Sequence, residues 1–231
     1  MKQQSKSLSV GVHLFLTIGH WMIYYVIFFL VAMLGAYVIL PLFDLQWGPL
    51  SEEYQISITQ AFMNSAHIFF FVCGTLSMGG LIKYYLSAGI TRKDYYYGLI
   101  ISIGALSILL TGSAFVLQLL ENVVFSVEIT QPFTILVTVQ LISKMFFYFL
   151  LGWFITTAFQ KNVWRGFGSI IVSGAMIMLF SAIWGEPINL PIIDSIQFSL
   201  SYLLAISGTV ILILILLSIL NYLSKYFVVK A

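Results

Sequence analysis

Charge is what this chain has least of. Lys, Arg, Asp and Glu make up 8% of its 231 residues, whereas a soluble domain carries about a quarter. A water-exposed surface of ordinary size is therefore excluded. With 61% hydrophobic residues and a mean hydropathy of +1.04, the chain reads as an integral membrane protein. Its length leaves room for about six spans of roughly 20–25 residues with short loops, and for no sizeable soluble domain. The net charge of +2 is too small to point to nucleic acid. Cysteine is nearly absent as well: Cys73 stands alone inside an apolar run, which rules out an intrachain disulfide and leaves the redox compartment unread. Catalytic signatures are missing too. There is no G-x-x-x-x-G-K-[ST] phosphate loop, no H-E-x-x-H and no G-x-S-x-G. No close Cys/His group has metal spacing, and the adjacent pair Glu52–Glu53 is the pattern of solvated loop charge. The expectation is a non-enzyme with no catalytic residue, metal or cofactor of its own. Energy for any transport then comes from another chain or from an ion gradient.

What is there is a series of apolar segments. Residues 5–20 precede them and carry Lys6, Ser9, His13, Thr17 and His20 at intervals of three and four, with Leu8, Val12, Phe15 and Leu16 on another face. That pattern predicts an amphipathic helix lying in the membrane interface, its histidines at headgroup level rather than on a metal. Basic residues followed by apolar ones, with no small-residue cleavage site, read as a retained N-terminus. Six apolar stretches follow, at 21–43, 56–82, 95–120, 132–159, 166–184 and 199–223, each long enough for a hydrocarbon core of about 30 Å. The fold expected is all-α, with residues 1–20 as a tail and connecting helix and 21–231 as a six-helix transmembrane domain.

The loops set the orientation. Lys2, Lys6, Lys83, Arg92, Lys93, Lys161, Arg165, Lys225 and Lys230 fall on one side of that arrangement. Asp44, Glu52, Glu53, Glu121, Glu128, Glu186 and Asp194 fall on the other. The positive-inside rule then places both termini in the cytoplasm. Two charges break the pattern, Asp94 and Lys144. A cation near the middle of the fourth span costs about 2.5–3.5 kcal/mol on insertion scales, and the sequence offers no acid at matching depth. Lys144, with Gln140 one turn before it, either lines a polar path or subunit surface, or snorkels from a tilted helix. The second span carries Ser57, Gln60, Asn64 and His67 at spacings of three, four and three. That stripe serves as helix–helix glue or as part of a translocation path. Only Lys144, Asn64 and His67 are placed to relay an ion. Gly168, Ser169, Ser173 and Gly174 permit a close helix approach in the fifth span. The two-proline segment 185–195 is either a re-entrant turn or a tight surface loop.

The stretch that organises the rest is KYYLSAGITRKDYYYG, residues 83–98. Gly89 suits the left-handed residue that closes a helix. Thr91 is an N-cap with Asp94 three residues on, a capping box. Arg92 and Lys93 project from that first turn, and Tyr84, Tyr85, Tyr95, Tyr96 and Tyr97 surround it. A capped, charged, aromatic-rimmed knuckle of this kind is suited to being gripped from the cytoplasm.

The interfacial helix, six spans and the L-S-A-G-I-T-R-K-D segment at 86–94 together resemble an ABC-2 type permease, in the short bacterial form without a fused ATPase. The resemblance implies a multi-pass protein of the bacterial plasma membrane that forms half of an export path. It implies a separate ABC ATPase that binds ATP and Mg, and a second permease subunit, identical or not. Lys83, Gly89, Ile90, Thr91, Arg92, Lys93 and Asp94 would form the ATPase-coupling element within 83–97. Gln60, Asn64, His67, Gln140 and Lys144 would line the path or the subunit interface. Short external loops without an aromatic ladder for sugars turn the expected substrate toward amphipathic peptides or hydrophobic drugs. The alternatives are the substrate-binding membrane component of an energy-coupled importer, which has no need of the charged turn, or an ion-coupled transporter. An intramembrane enzyme is disfavoured by the missing catalytic set.

Overall fold

The computed structural model describes residues 6–39, 57–125, 134–185, 188–190, 193–196 and 202–225. Its helices are α1 (Lys6–Leu34), α2 (Ile58–Leu76), α3 (Ile82–Ser87), α4 (Arg92–Phe125), α5 (Ile135–Lys161), α6 (Val163–Ile183) and α7 (Tyr202–Lys225). Two π-helical segments extend them. Gly35–Ile39 continues α1, and Ser77–Leu81 joins α2 to α3. Two short antiparallel strands, β1 (Ile188–Leu190) and β2 (Ile193–Ile196), pair Ile188 with Ile196 and Leu190 with Ile193. The 185–195 segment therefore holds strand pairing where a re-entrant turn or a plain loop was expected.

Among the described residues five helices are long and apolar enough to cross a membrane: Lys6–Val38, Arg92–Val124, Ile135–Lys161, Val163–Ile183 and Tyr202–Leu223. The helix α2 stands outside that group because Gln60, Asn64 and His67 dilute its apolar residues. The division expected between an interfacial helix at 5–20 and a span from 21 is corrected, because α1 runs unbroken through His20 and Trp21. No Pro or helix-stopping signal lies there to end it. Polar periodicity alone predicted the separate helix, yet a third face does the packing: Val10, Leu14 and Ile18 are buried, while Leu8, Val12 and Leu16 stay exposed.

Contacts along the bundle give each helix its direction. At one end Ser7 of α1 meets Asp94 of α4, and His13 of α1 meets Tyr85 of α3. At the other end Tyr37, Ser57 and Glu121 come together. Hence α1 and α4 run in the same sense, and the stretch from α2 to α3 returns. The helix α5 also returns, with Met145 against Thr111 and Gly152 against Phe71. Phe147 stacks on Phe180 of α6 at 4.8 Å. Trp184 donates to Thr209 at one end of α7, and Tyr96 donates to the Leu217 carbonyl toward the other. Six long helices thus alternate in direction, and Lys6, Lys83, Arg92, Lys93, Lys161 and Arg165 all lie toward the Ser7–Asp94 end.

Glycine permits the closest crossings. A Cβ on Gly74 would lie 2.1 Å from the Phe149 carbonyl oxygen, and one on Gly152 2.2 Å from the Phe71 carbonyl oxygen. The helices α2 and α5 therefore touch backbone to backbone. Gly11 and Gly98 play the same part between α1 and α4, where a Cβ on Gly98 would lie 2.9 Å from the Gly11 nitrogen. The small residues expected to allow close approach in α6 divide differently: Gly168 and Gly174 face open space, while Ser169 and Ser173 are buried.

Candidate functional site

The knuckle forms around four residues, Ala88 to Thr91, between α3 and α4. The backbone of Gly89 takes φ +78°, the left-handed region that glycine enters without a Cβ clash. Its N–H donates to the Leu86 carbonyl, and the Ile90 N–H reaches back to the Tyr85 carbonyl at 3.1 Å. Those two bonds close α3 in a Schellman arrangement, and Ile90 packs against the core. On the other side the Thr91 hydroxyl accepts from the Asp94 N–H at 3.1 Å and donates to the Asp94 carboxylate at 2.6 Å. The Asp94 carboxylate also accepts from the Ser7 hydroxyl at 2.8 Å. The cap thus serves as a brace to α1, a second function that the local spacing does not disclose.

The tyrosines divide into two sets. Tyr84 and Tyr97 are exposed. Tyr85, Tyr95 and Tyr96 are buried, and each hydroxyl has a defined partner. Tyr85 meets His13 Nδ1 at 2.7 Å, and burial raises its phenol above the ordinary range. Tyr95 donates to the Ser77 carbonyl at 2.7 Å, in the π-helical segment. Tyr96 donates to the Leu217 carbonyl at 2.8 Å, on α7. The expectation that all five rings rim the turn is therefore corrected. Three are pegs that pin the knuckle to α1, to the end of α2 and to α7, since a buried ring leaves water only where its hydroxyl finds a partner. Lys83, Gly89, Thr91 and Lys93 remain exposed, and Arg92 is half-buried and engaged.

The residues expected along a polar path lie on α2 and α5, which pack against each other. His67 of α2 lies against Tyr148 of α5, ring centroids 4.6 Å apart, and Tyr148 is one turn beyond Lys144. Gln60, His67, Gln140 and Lys144 are half-buried, and Asn64 is exposed. Lys144 is itself engaged in the structure. Ser57, read as the start of this stripe, belongs elsewhere: its hydroxyl caps α2 through the Gln60 N–H and donates to Glu121 at 2.5 Å.

Glu121 was placed among the acids of an external loop. It lies instead on α4, 3% exposed, where its carboxylate receives Tyr37 Oη at 3.0 Å and the Ile58 N–H at 2.7 Å. The Thr59 N–H reaches both carboxylate oxygens at 3.2 Å. One signal in the sequence pointed to it. Leu106, Leu110, Ala114 and Leu117 repeat every three or four residues on the buried face, and Glu121 continues that stripe. The other acids expected outside, Asp44, Glu52, Glu53, Glu128 and Glu186, lie outside the described residues, as do Lys2 and Lys230. Among the described residues no group of three or more His, Cys, Asp or Glu is gathered to hold a metal ion.

Comparison with protein families, with curated proteins and with solved structures finds no match to this chain.

Proposed function

We propose that the chain is the permease subunit of an ATP-binding cassette exporter, crossing the bacterial plasma membrane six times with both ends in the cytoplasm. In this reading it takes up ATP-driven motion from a separate ATPase at the 83–97 knuckle. The observation that carries the reading is the bracing of that knuckle. A four-residue turn, capped on both sides and pegged to α1, the end of α2 and α7, passes a displacement into several helices at once. A slack loop would absorb it. Length supports the same placement. The helices α1 and α4 have 29 and 34 residues, or roughly 45 and 50 Å at 1.5 Å per residue. Both outreach a hydrocarbon core of about 30 Å, and both begin at the knuckle end, where the basic residues cluster. Exposed Lys83, Tyr84, Thr91, Lys93 and Tyr97 then form the surface offered to the ATPase. A second permease subunit completes the path, and amphipathic peptides or hydrophobic drugs are the proposed substrates. The importer and ion-coupled readings leave the bracing without a purpose.

The test is the double replacement of Arg92 and Lys93 by Ala, with Lys83 kept to hold orientation. Coupling predicts normal membrane insertion together with loss of the copurifying ATPase and of export. A variant that retains its ATPase and exports at the parental rate would refute the assignment.

A further inference from the structure

The second fastening of the bundle lies at the end opposite the knuckle, and it is built on one charge. A helix start leaves backbone N–H groups without intrahelical partners, and those of α2 are met by a carboxylate from α4. Four donors converge on Glu121: the Tyr37 hydroxyl from beyond α1, the Ser57 hydroxyl, and the Ile58 and Thr59 N–H groups. An ionised carboxylate offers about four lone-pair sites and no donor, so the two sets match. A neutral carboxyl or carboxamide turns part of that accepting surface into a donor and faces it with donors. Burial removes water as a substitute partner. The helix dipole adds to the preference for negative charge at this position.

Among the described residues other charged groups stand apart, and the titratable side chain in contact is Tyr37. His67 lies nine residues into α2 from Ile58, about 13 Å along its axis. Lys144 precedes Met145, which meets Thr111, and Thr111 is about 15 Å along α4 from Glu121. The contact is thus held by local geometry and by the charge of one residue. It joins α1, α2 and α4, which the knuckle joins, together with α7, at their other end.

We propose that Glu121 is a charge-dependent latch that fastens the start of α2 to α1 and α4, and that removing its charge frees this end of α2 while the knuckle stays closed. These contacts are the same whichever way the chain crosses a membrane.

Hydrogen exchange on the purified full-length chain in lipid nanodiscs tests the latch. In Glu121→Gln the amides of residues 58–61 should lose at least tenfold in protection, while those of 92–98 and of 145–152 keep parental values. Ser57→Ala and Tyr37→Phe, each removing one donor but leaving the charge, should give smaller losses confined to the same amides. Unchanged protection at 58–61 in Glu121→Gln would overturn the proposal. An equal loss at all three regions would also overturn it, since Glu121 would then support the whole fold rather than one end of α2. Should Glu121→Gln not assemble, the two donor variants decide by the same comparison.

Discussion

At the scale of single residues, backbone contact and local caps carry the sharpest consequences. Gly74 and Gly152 sit where a Cβ would meet the opposing backbone at 2.1 and 2.2 Å, and backbone cannot turn aside as a side chain can. Gly74→Ala or Gly152→Ala should therefore force α2 and α5 apart and lower stability by about 1–3 kcal/mol, the usual cost of overpacking. Gly168→Ala, facing open space, should be neutral or slightly stabilising, since Ala is the better helix former. Thermal unfolding of the three variants in detergent, compared with the parent, checks the contrast. Thr91→Ala removes a cap and should cost about 1 kcal/mol. Because Asp94 also holds Ser7, Asp94→Ala should cost more than Thr91→Ala, and equal losses would show that the brace to α1 contributes nothing. The capping residues were legible because their partners lie three residues away. Glu121 was not, because its partners at Ser57 and Tyr37 are 64 and 84 residues distant. The one local sign is that Glu121 continues the buried stripe of Leu106, Leu110, Ala114 and Leu117, which shows its face but not its partners.

At the scale of elements, helical periodicity told which faces of the first helix are polar but not what covers them. The stripe of Lys6, Ser9, His13, Thr17 and His20 is real, yet His13 reaches Tyr85 and the Thr17 hydroxyl donates to the His13 carbonyl. The face that packs on α4 is a third one, set by Val10, Leu14, Ile18 and the Gly11–Gly98 crossing. A helix in contact with a neighbour along its length responds to crowding at that contact. Gly98→Leu should separate α1 from α4 and expose Ser7 and the first turn of α1 to protease in solubilised protein, while Val12→Leu, on the exposed side, should leave digestion unchanged. The turn between α3 and α4 was readable from the order Gly, Thr, Asp. Its tyrosines were misassigned because a Tyr beside a charged turn is as much at home inside as outside. Only the partners on α7 and in the Ser77–Leu81 segment decide which.

At the scale of the whole molecule, the six long helices among the described residues alternate in direction, and the bundle has a basic end with the knuckle and an opposite end with Glu121. That the chain is built of long apolar helices was legible from apolar runs alone, although five rather than six of the described helices are long and apolar enough to cross a membrane. What the runs could not convey is that α2, diluted by Gln60, Asn64 and His67, is gripped at both ends by its neighbours. Coupling requires the knuckle to face the cytoplasm, since a knuckle outside the cell could meet no ATPase. Cysteine labelling in intact cells decides this in a Cys73→Ser background, where the one native thiol is buried to begin with. Lys93→Cys, in the exposed part of the knuckle, should resist an impermeant thiol reagent until the cells are opened. Glu52→Cys, in the connection between α1 and α2, should label at once. Labelling of Lys93→Cys in intact cells, at the rate of Glu52→Cys, would contradict the account.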